Sequence, residues 1–322
     1  MKKILLIGTG GTIAEDISNG NEVMLTAESL VKSVRTLGSI ASVEAIDFMK
    51  VPSPAIQFND VLGISKKIRN EIHERKFDGV VVTVGTDTLE EAAYFLDLAL
   101  DEKVPVVITG SMRSRIHSSS DTDYNLETAV LAAASDELEG VGAVVVMNGE
   151  IHQAKYVSKT NTSSVASFQS PGYGPIGVIS GQKVILYAKP ISRAHIRVDE
   201  VKSRVDLLTC CVGIDGSLVR AAIKLGADGL VVEAFGGGDV TPSLVPALEE
   251  AISNGLSVVL VSRCITGPIT EAALDFEGSA KSLEKKGVIL ASNTSGVKAR
   301  IKLVMALSAG VNGTSLKQLF EN

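Results

Sequence analysis

Three short stretches of this chain hold residues whose types could act together in chemistry. In "KKILLIGTGGTIAED" (2 to 16) an apolar run breaks into a turn with Gly8, Gly10 and Gly11, and Thr9 and Thr12 lie inside it. "VTVGTDTLEE" (82 to 91) puts Gly85, Thr86 and Asp87 in a second turn, and "YVSKTNTSSVASF" (156 to 168) sets Lys159 among small hydroxyl residues. A threonine hydroxyl is unreactive at neutral pH unless a nearby base takes its proton. A lysine kept partly neutral by burial can take that proton while a carboxylate holds the constellation. Glycines let the backbone approach a substrate and aim N–H groups at a developing oxyanion, as acyl transfer requires. Taken singly, each residue also has an ordinary structural role: the threonine as turn former, Asp87 as a helix N-terminal charge, the lysine as a solvated side chain.

A nucleotide cradle is the rival use of the first turn. Gly8 and Gly10 have GxG spacing after a strand, but the third glycine of a dinucleotide fingerprint falls at Ile13. Residues 15 to 26, "EDISNGNEVMLT", are polar and read as flexible where a crossover helix should already run. No GK[ST] follows, so the turn is not a P-loop. His73, His117, His152 and His195 are scattered without metal-ligand spacing and read as satisfied or surface histidines.

The elements that must position these turns follow from the apolar pattern. Short β-branched runs bounded by glycine recur at "KILLI", "GVVVTV", "VPVVITG", "VGAVVVMN", "VDLLTC", "GLVVEAFGGG" and "LSVVLVSRC", as strands of a parallel sheet buried on both faces would. Between them lie amphipathic segments, with Val61, Ile64, Ile68 and Ile72 on one helical face and Leu89, Ala92, Ala93, Leu96 and Leu100 on another. Strand and helix alternation predicts an α/β fold. Thr88 and Glu91 have the spacing of a capping box that starts a helix directly behind "VGTD". The Thr86 turn thus falls at the carboxyl end of a strand, where open α/β sheets bind ligands. Charge and Pro190 interrupt the pattern in "KPISRAHIRVDEVKSR". Two α/β domains are expected: a larger N-terminal one, 1–189, with a flavodoxin/Rossmann-like parallel sheet, a linker 190–204, and a smaller C-terminal one, 205–322.

Composition narrows the partners. The chain has 322 residues, 45% of them apolar, and a net charge of −6 from mixed acidic and basic residues without a basic block. Nucleic acid is therefore not an expected partner, and aromatic residues at 4%, with no Trp, leave little for base stacking. No apolar stretch reaches the roughly 18 to 20 residues of a membrane helix, and Ile4 to Ile7 is too short for a secretory h-region, so a soluble, cytoplasmic protein is expected. Cys210, Cys211 and Cys264 lack disulfide-framework or CxxC spacing and read as reduced core residues.

In combination the stretches resemble the bacterial-type L-asparaginase/glutaminase family. "TGGTIA" (9 to 14), "GTDTLEEAA" (85 to 93) and "SKTNT" (158 to 162) with "SFQSPGYGPIG" (167 to 177) carry the resemblance, supported by "VVITGSMR" (106 to 113). A softer match continues through "DGLVVEAFGGGDV", "SRCITG" and "KARIKLVMAL". The resemblance implies an amidohydrolase that converts L-asparagine to L-aspartate and ammonia. Thr12 would be the nucleophile, and Thr86, Lys159 and Asp87 a second relay facing it, with Asp87 also receiving the substrate's α-ammonium group. Ser53 would contact the substrate carboxylate, while Gly11, Gly85 and the Thr86 amide would surround the reacting group. It further implies a small amino-acid amide as ligand, no metal or organic cofactor, and a homodimer or homotetramer.

Several positions depart from the family pattern. Residues 14 to 30 contain no tyrosine where relatives carry one in the loop after the nucleophile; Pro54 stands where many place a polar residue, Val84 precedes "GTDT", and Asp239 falls near a common asparagine. These touch the pocket for the α-groups more than the reaction machinery. Glutamine, D-asparagine or another amide thus stays open as substrate, as does a weakened homologue that only binds an amino acid. Glu233 ends an apolar strand, and Arg113, Arg115 and His117 share a loop that reads as structural.

Overall fold

The seven apolar runs form strands in a computed structural model that describes residues 1–18, 21–269 and 276–321. Along the first half run β1 (Lys3–Gly8), β2 (Glu15–Ser18), β3 (Asn21–Met24), α1 (Ala27–Ser33), α2 (Leu37–Ile40), β4 (Ser42–Asp47), α3 (Phe58–Arg75), β5 (Gly79–Thr83), α4 (Leu89–Ala99), β6 (Val106–Thr109), α5 (Thr122–Ala133) and β7 (Ala143–Met147). Then follow β8 (Glu150–Gln153), β9 (Ser158–Lys159), β10 (Phe168–Gln169), β11 (Gly177–Ser180) and β12 (Lys183–Leu186).

The first unit, Met1–His195, is built on an eight-stranded sheet ordered β12-β11-β8-β7-β6-β5-β1-β4. The strands from β4 through β7 pair in parallel; β7, β8, β11 and β12 continue the sheet antiparallel. The expected parallel sheet is therefore mixed. Tight turns, as at Asn148 and Gly149 with positive φ, send the chain straight back instead of over a crossover helix. Ile4, Leu5, Leu6 and Ile7 of β1 are fully buried, the mark of a central strand covered on both faces.

Two local expectations are corrected. Thr88 precedes α4, but its side chain does not cap the helix; the hydroxyl donates to the Ser53 carbonyl at 3.1 Å instead. The Ser53 carbonyl already accepts from the Ile56 amide at 3.0 Å and takes the Thr88 hydroxyl on its second lone pair, so the hydroxyl ties two segments together instead of capping its own helix. The stretch after Thr12, expected as a polar loop, forms the antiparallel β2–β3 ribbon.

The second unit, Ile196–Asn322, has its own sheet and core. Its elements are β13 (Val205–Thr209), α6 (Ser217–Lys224), β14 (Gly229–Ala234), α7 (Val245–Ser253), β15 (Ser257–Ser262), α8 (Ala280–Lys285), β16 (Ile289–Leu290), α9 (Gly296–Ser308) and α10 (Gly313–Glu321). All of β13-β14-β15-β16 are parallel. Only Cys210 of the three cysteines belongs to this core, and burial pushes its thiol up to about 11; Cys211 and Cys264 are exposed, contrary to the expectation of three core thiols. All three are unbridged.

Candidate active site

Parallel pairing of β1 with β5 aligns Gly8 with Thr83, so the turns that follow the two strands leave the sheet side by side. The Thr9 hydroxyl and amide both donate to the Thr83 carbonyl, at 2.8 and 3.2 Å. Beyond this stitch the backbones nearly touch. A Cβ on Gly11, which has φ +79°, would lie 2.5 Å from the Gly85 Cα. A Cβ on Gly85 would in turn lie 2.8 Å from both Cβ and Oγ of Ser53. Glycine at both positions is thus required by a close approach, and at Gly11 also by the left-handed backbone. Thr12 opens a one-turn 3-10 helix, Thr12–Ala14, directly after Gly11. It is half-buried, and no hydrogen bond among the described residues ties its hydroxyl to Thr86 or Lys159.

The relay residues meet at the Lys159 amine. Lys159 Nζ donates to Thr86 Oγ1 at 3.0 Å and to Asp87 Oδ1 at 2.7 Å. Thr86 is buried, the Lys159 side chain is 17% exposed and that of Asp87 62% exposed. The pair thus runs from the protein interior toward solvent, leaving the outer face of the Asp87 carboxylate accessible. Lys159 arrives from β9, whose short antiparallel pairing places it opposite Phe168. Of the predicted site residues, Gly11 and Gly85 are therefore brought together by close backbone approach with Ser53 packed against Gly85, and Thr86, Lys159 and Asp87 are joined through hydrogen bonds.

The departures fall in different places. Pro54 is exposed in the 3-10 turn Ser53–Ala55, whereas Ser53 itself is buried; Val84 is fully buried in the packing behind the turn. Glu233 and Asp239 lie in the second unit. The Glu233 carboxylate accepts from the Thr209 hydroxyl at 2.6 Å and the Gly296 amide at 3.2 Å, and Asp239 accepts from the Ala280 amide at 3.3 Å. The Arg113 loop is structural in its backbone: the Asp121 carboxylate gathers the Ser111 hydroxyl, the Met112 and Arg113 amides and the Asn125 side-chain amide.

Sequence reasoning gave Thr88 only a capping role and passed over Glu90. Thr88 anchors the Ser53 turn as described above, and Glu90 bonds both Ser158 and Lys159. A glutamate in a first helical turn reads in sequence as a generic partner of the helix dipole, so its long-range targets leave no local signal.

Fold and site together define a two-unit α/β protein with a hydroxyl, ammonium and carboxylate cluster at the carboxyl ends of parallel strands. The chain belongs to the asparaginase/glutaminase family: residues 3–192 match the model "Asparaginase, N-terminal" and residues 204–320 the "Glutaminase/Asparaginase C-terminal domain". It is 35% identical to the L-asparaginase of Bacillus licheniformis, over 97% of each chain. With the L-asparaginase 2 of Escherichia coli (strain K12) it shares 32% identity over 99% of this chain and 93% of that protein. A crystal structure of a probable cytoplasmic L-asparaginase from Campylobacter jejuni superposes with a TM-score of 0.90 at 31% identity and covers 100% of both chains.

Proposed function

We propose that the protein is an L-asparaginase, hydrolysing L-asparagine to L-aspartate and ammonia through an ester on Thr12. The Thr12 oxygen attacks the side-chain amide carbon, the C–N bond breaks as the nitrogen takes a proton and leaves as ammonia, and water then cleaves the ester. Lys159 and Thr86 move protons, while Asp87 holds the lysine and offers its exposed face to the α-ammonium group of the substrate. The Ser53 hydroxyl meets the α-carboxylate, and N–H groups of the Gly11 turn and of Thr86 support the oxyanion. The observation that carries this reading is the Thr86–Lys159–Asp87 hydrogen-bond chain beside the Thr12 turn in a member of this family.

L-Glutamine is the second substrate to weigh, because a glutaminase-asparaginase of Pseudomonas fluorescens biotype A is 29% identical over 99% of this chain and 90% of that protein. The test is ammonia release by purified protein from L-asparagine, L-glutamine and D-asparagine, with Thr12→Ala in parallel. Release from L-asparagine that falls at least about 1,000-fold in the variant is expected. Turnover that survives Thr12→Ala would assign the chemistry to another group.

The same reading makes the protein a cytoplasmic homodimer or homotetramer. In support, the Campylobacter jejuni neighbour is described as cytoplasmic, and among the described residues no helix is long and apolar enough to cross a membrane. Light scattering on the eluting protein gives the oligomeric mass directly.

A further inference from the structure

The geometry points to Glu90 as a positioning residue that sets the place of the Lys159 amine by clamping the backbone of β9. Glu90 sits in the first turn of α4, three residues after Asp87. Its two carboxylate oxygens go to consecutive residues of the other segment. Oε2 accepts from the Ser158 hydroxyl at 2.7 Å and Oε1 from the Lys159 amide at 3.1 Å.

The position of this clamp gives it a function beyond ordinary side-chain bonding. β9 is only two residues long, and its ladder partner β10, Phe168–Gln169, is equally short, so strand pairing alone fixes it poorly. Thr86 and Asp87, the two groups that receive Lys159 Nζ, lie immediately before the helix that carries Glu90. One helix terminus thereby grips Lys159 at both ends, its backbone through Glu90 and its ammonium through Thr86 and Asp87. A hydrogen bond to a charged acceptor is roughly twice as strong as a neutral one, and here there are two from one carboxylate. The amine of a long, flexible side chain is thereby held against a fixed origin. A proton-transfer group displaced by about an ångström loses much of its effect on the transition state while substrate binding is unchanged.

This inference rests on the assignment of Lys159 to the relay, and the experiment separates the two. Steady-state kinetics with L-asparagine are measured for Glu90→Ala, Glu90→Gln, Ser158→Ala and Lys159→Met, each checked for folding by circular dichroism and thermal melting. For Glu90→Ala, kcat is expected to fall about 10- to 100-fold with KM within about threefold of the parent. Glu90→Gln restores kcat to within about threefold, because its carbonyl oxygen accepts from the Lys159 amide while its amide nitrogen donates to the Ser158 oxygen. A Glu90→Ala variant with parent-like kcat, or a Glu90→Gln variant as slow as Glu90→Ala, overturns the clamp. If Glu90→Ala fails to fold, Ser158→Ala decides: a fall in kcat of about threefold or more at unchanged KM supports the clamp, and a parent-like kcat overturns it. Lys159→Met that stays folded and fully active sinks the relay reading itself. Loss of activity there beside an intact Glu90→Ala sinks only the clamp.

Discussion

The residue that most separates this site from a simple hydroxyl turn is Lys159. Its amine bridges a buried threonine and an exposed carboxylate, so it links the interior of the site to solvent. Thr86→Val keeps the shape of the side chain and removes the oxygen; Lys159→Met keeps most of the length and removes the charge. Each is expected to lower kcat by about 100- to 10,000-fold in a folded protein, the range of a lost proton-transfer group. Parent-like ammonia release from both variants would break the relay. The role argued for Asp87 makes a different forecast, because its outer face is reserved for a cation. Asp87→Asn should raise KM for L-asparagine by about tenfold or more in addition to slowing turnover, which initial-rate kinetics over a wide substrate range would register.

At the scale of elements, the site depends on three segments pressed together at Gly11, Gly85 and Ser53. Gly11 meets Gly85, and Gly85 meets Ser53, at separations that leave no volume for a methyl group. Gly85→Ala should cost about 1 to 3 kcal/mol of unfolding free energy through overpacking and remove most of the activity, because its Cβ pushes the Ser53 turn away from the Thr12 turn. Urea unfolding and kcat measured on the same preparation test both halves. Thr88→Val is the milder companion: it deletes one hydrogen bond to the Ser53 carbonyl, about 1 kcal/mol, and should weaken substrate binding more than it slows the chemical step. That threonine also shows how a local motif misleads. The Thr88 and Glu91 spacing is that of a capping box, yet the hydroxyl turned away from its own helix to a carbonyl distant in sequence.

For the molecule as a whole, acidic conditions should be destabilising. Hydrogen bonding to Lys3, followed by the Arg75 guanidinium, holds the Glu44 carboxyl below the usual carboxylate range, and Lys67 followed by Arg75 does the same for Glu71. A depressed folded-state value means that the stabilisation is present above the unfolded value of about 4.3 and is lost as pH falls through the lowered folded value. The midpoint of urea unfolding is therefore expected to hold near neutrality and drop below about pH 4, with a shallower drop in Glu71→Gln. An equal drop in the variant would remove Glu71 from the explanation. The Arg75–Glu44 pair ties α3 to β4 at the edge of the large sheet, the Glu71 pairs lie within α3, and Lys3–Glu44 joins β1 to β4.

The sequence by itself determined the seven main strands, because runs such as Ile4 to Ile7 and Val80 to Val82 can be satisfied only by burial on both faces. It also determined the glycine turns after β1 and β5 and, through the order of its motifs, the family. The antiparallel continuation of the sheet was hidden because β8, β11 and β12 are only four residues each, too short to impose a period. The β2–β3 ribbon was hidden because its residues are polar and its stability comes from pairing. Tertiary structure alone decided that Lys159 reaches Thr86 and Asp87 across more than 70 positions, and that Glu90 holds its backbone while doing so. Hydrogen bonds between segments so distant in sequence leave no periodicity and no spacing along the chain; they exist only after the strands have paired and brought the two turns to one end of the sheet.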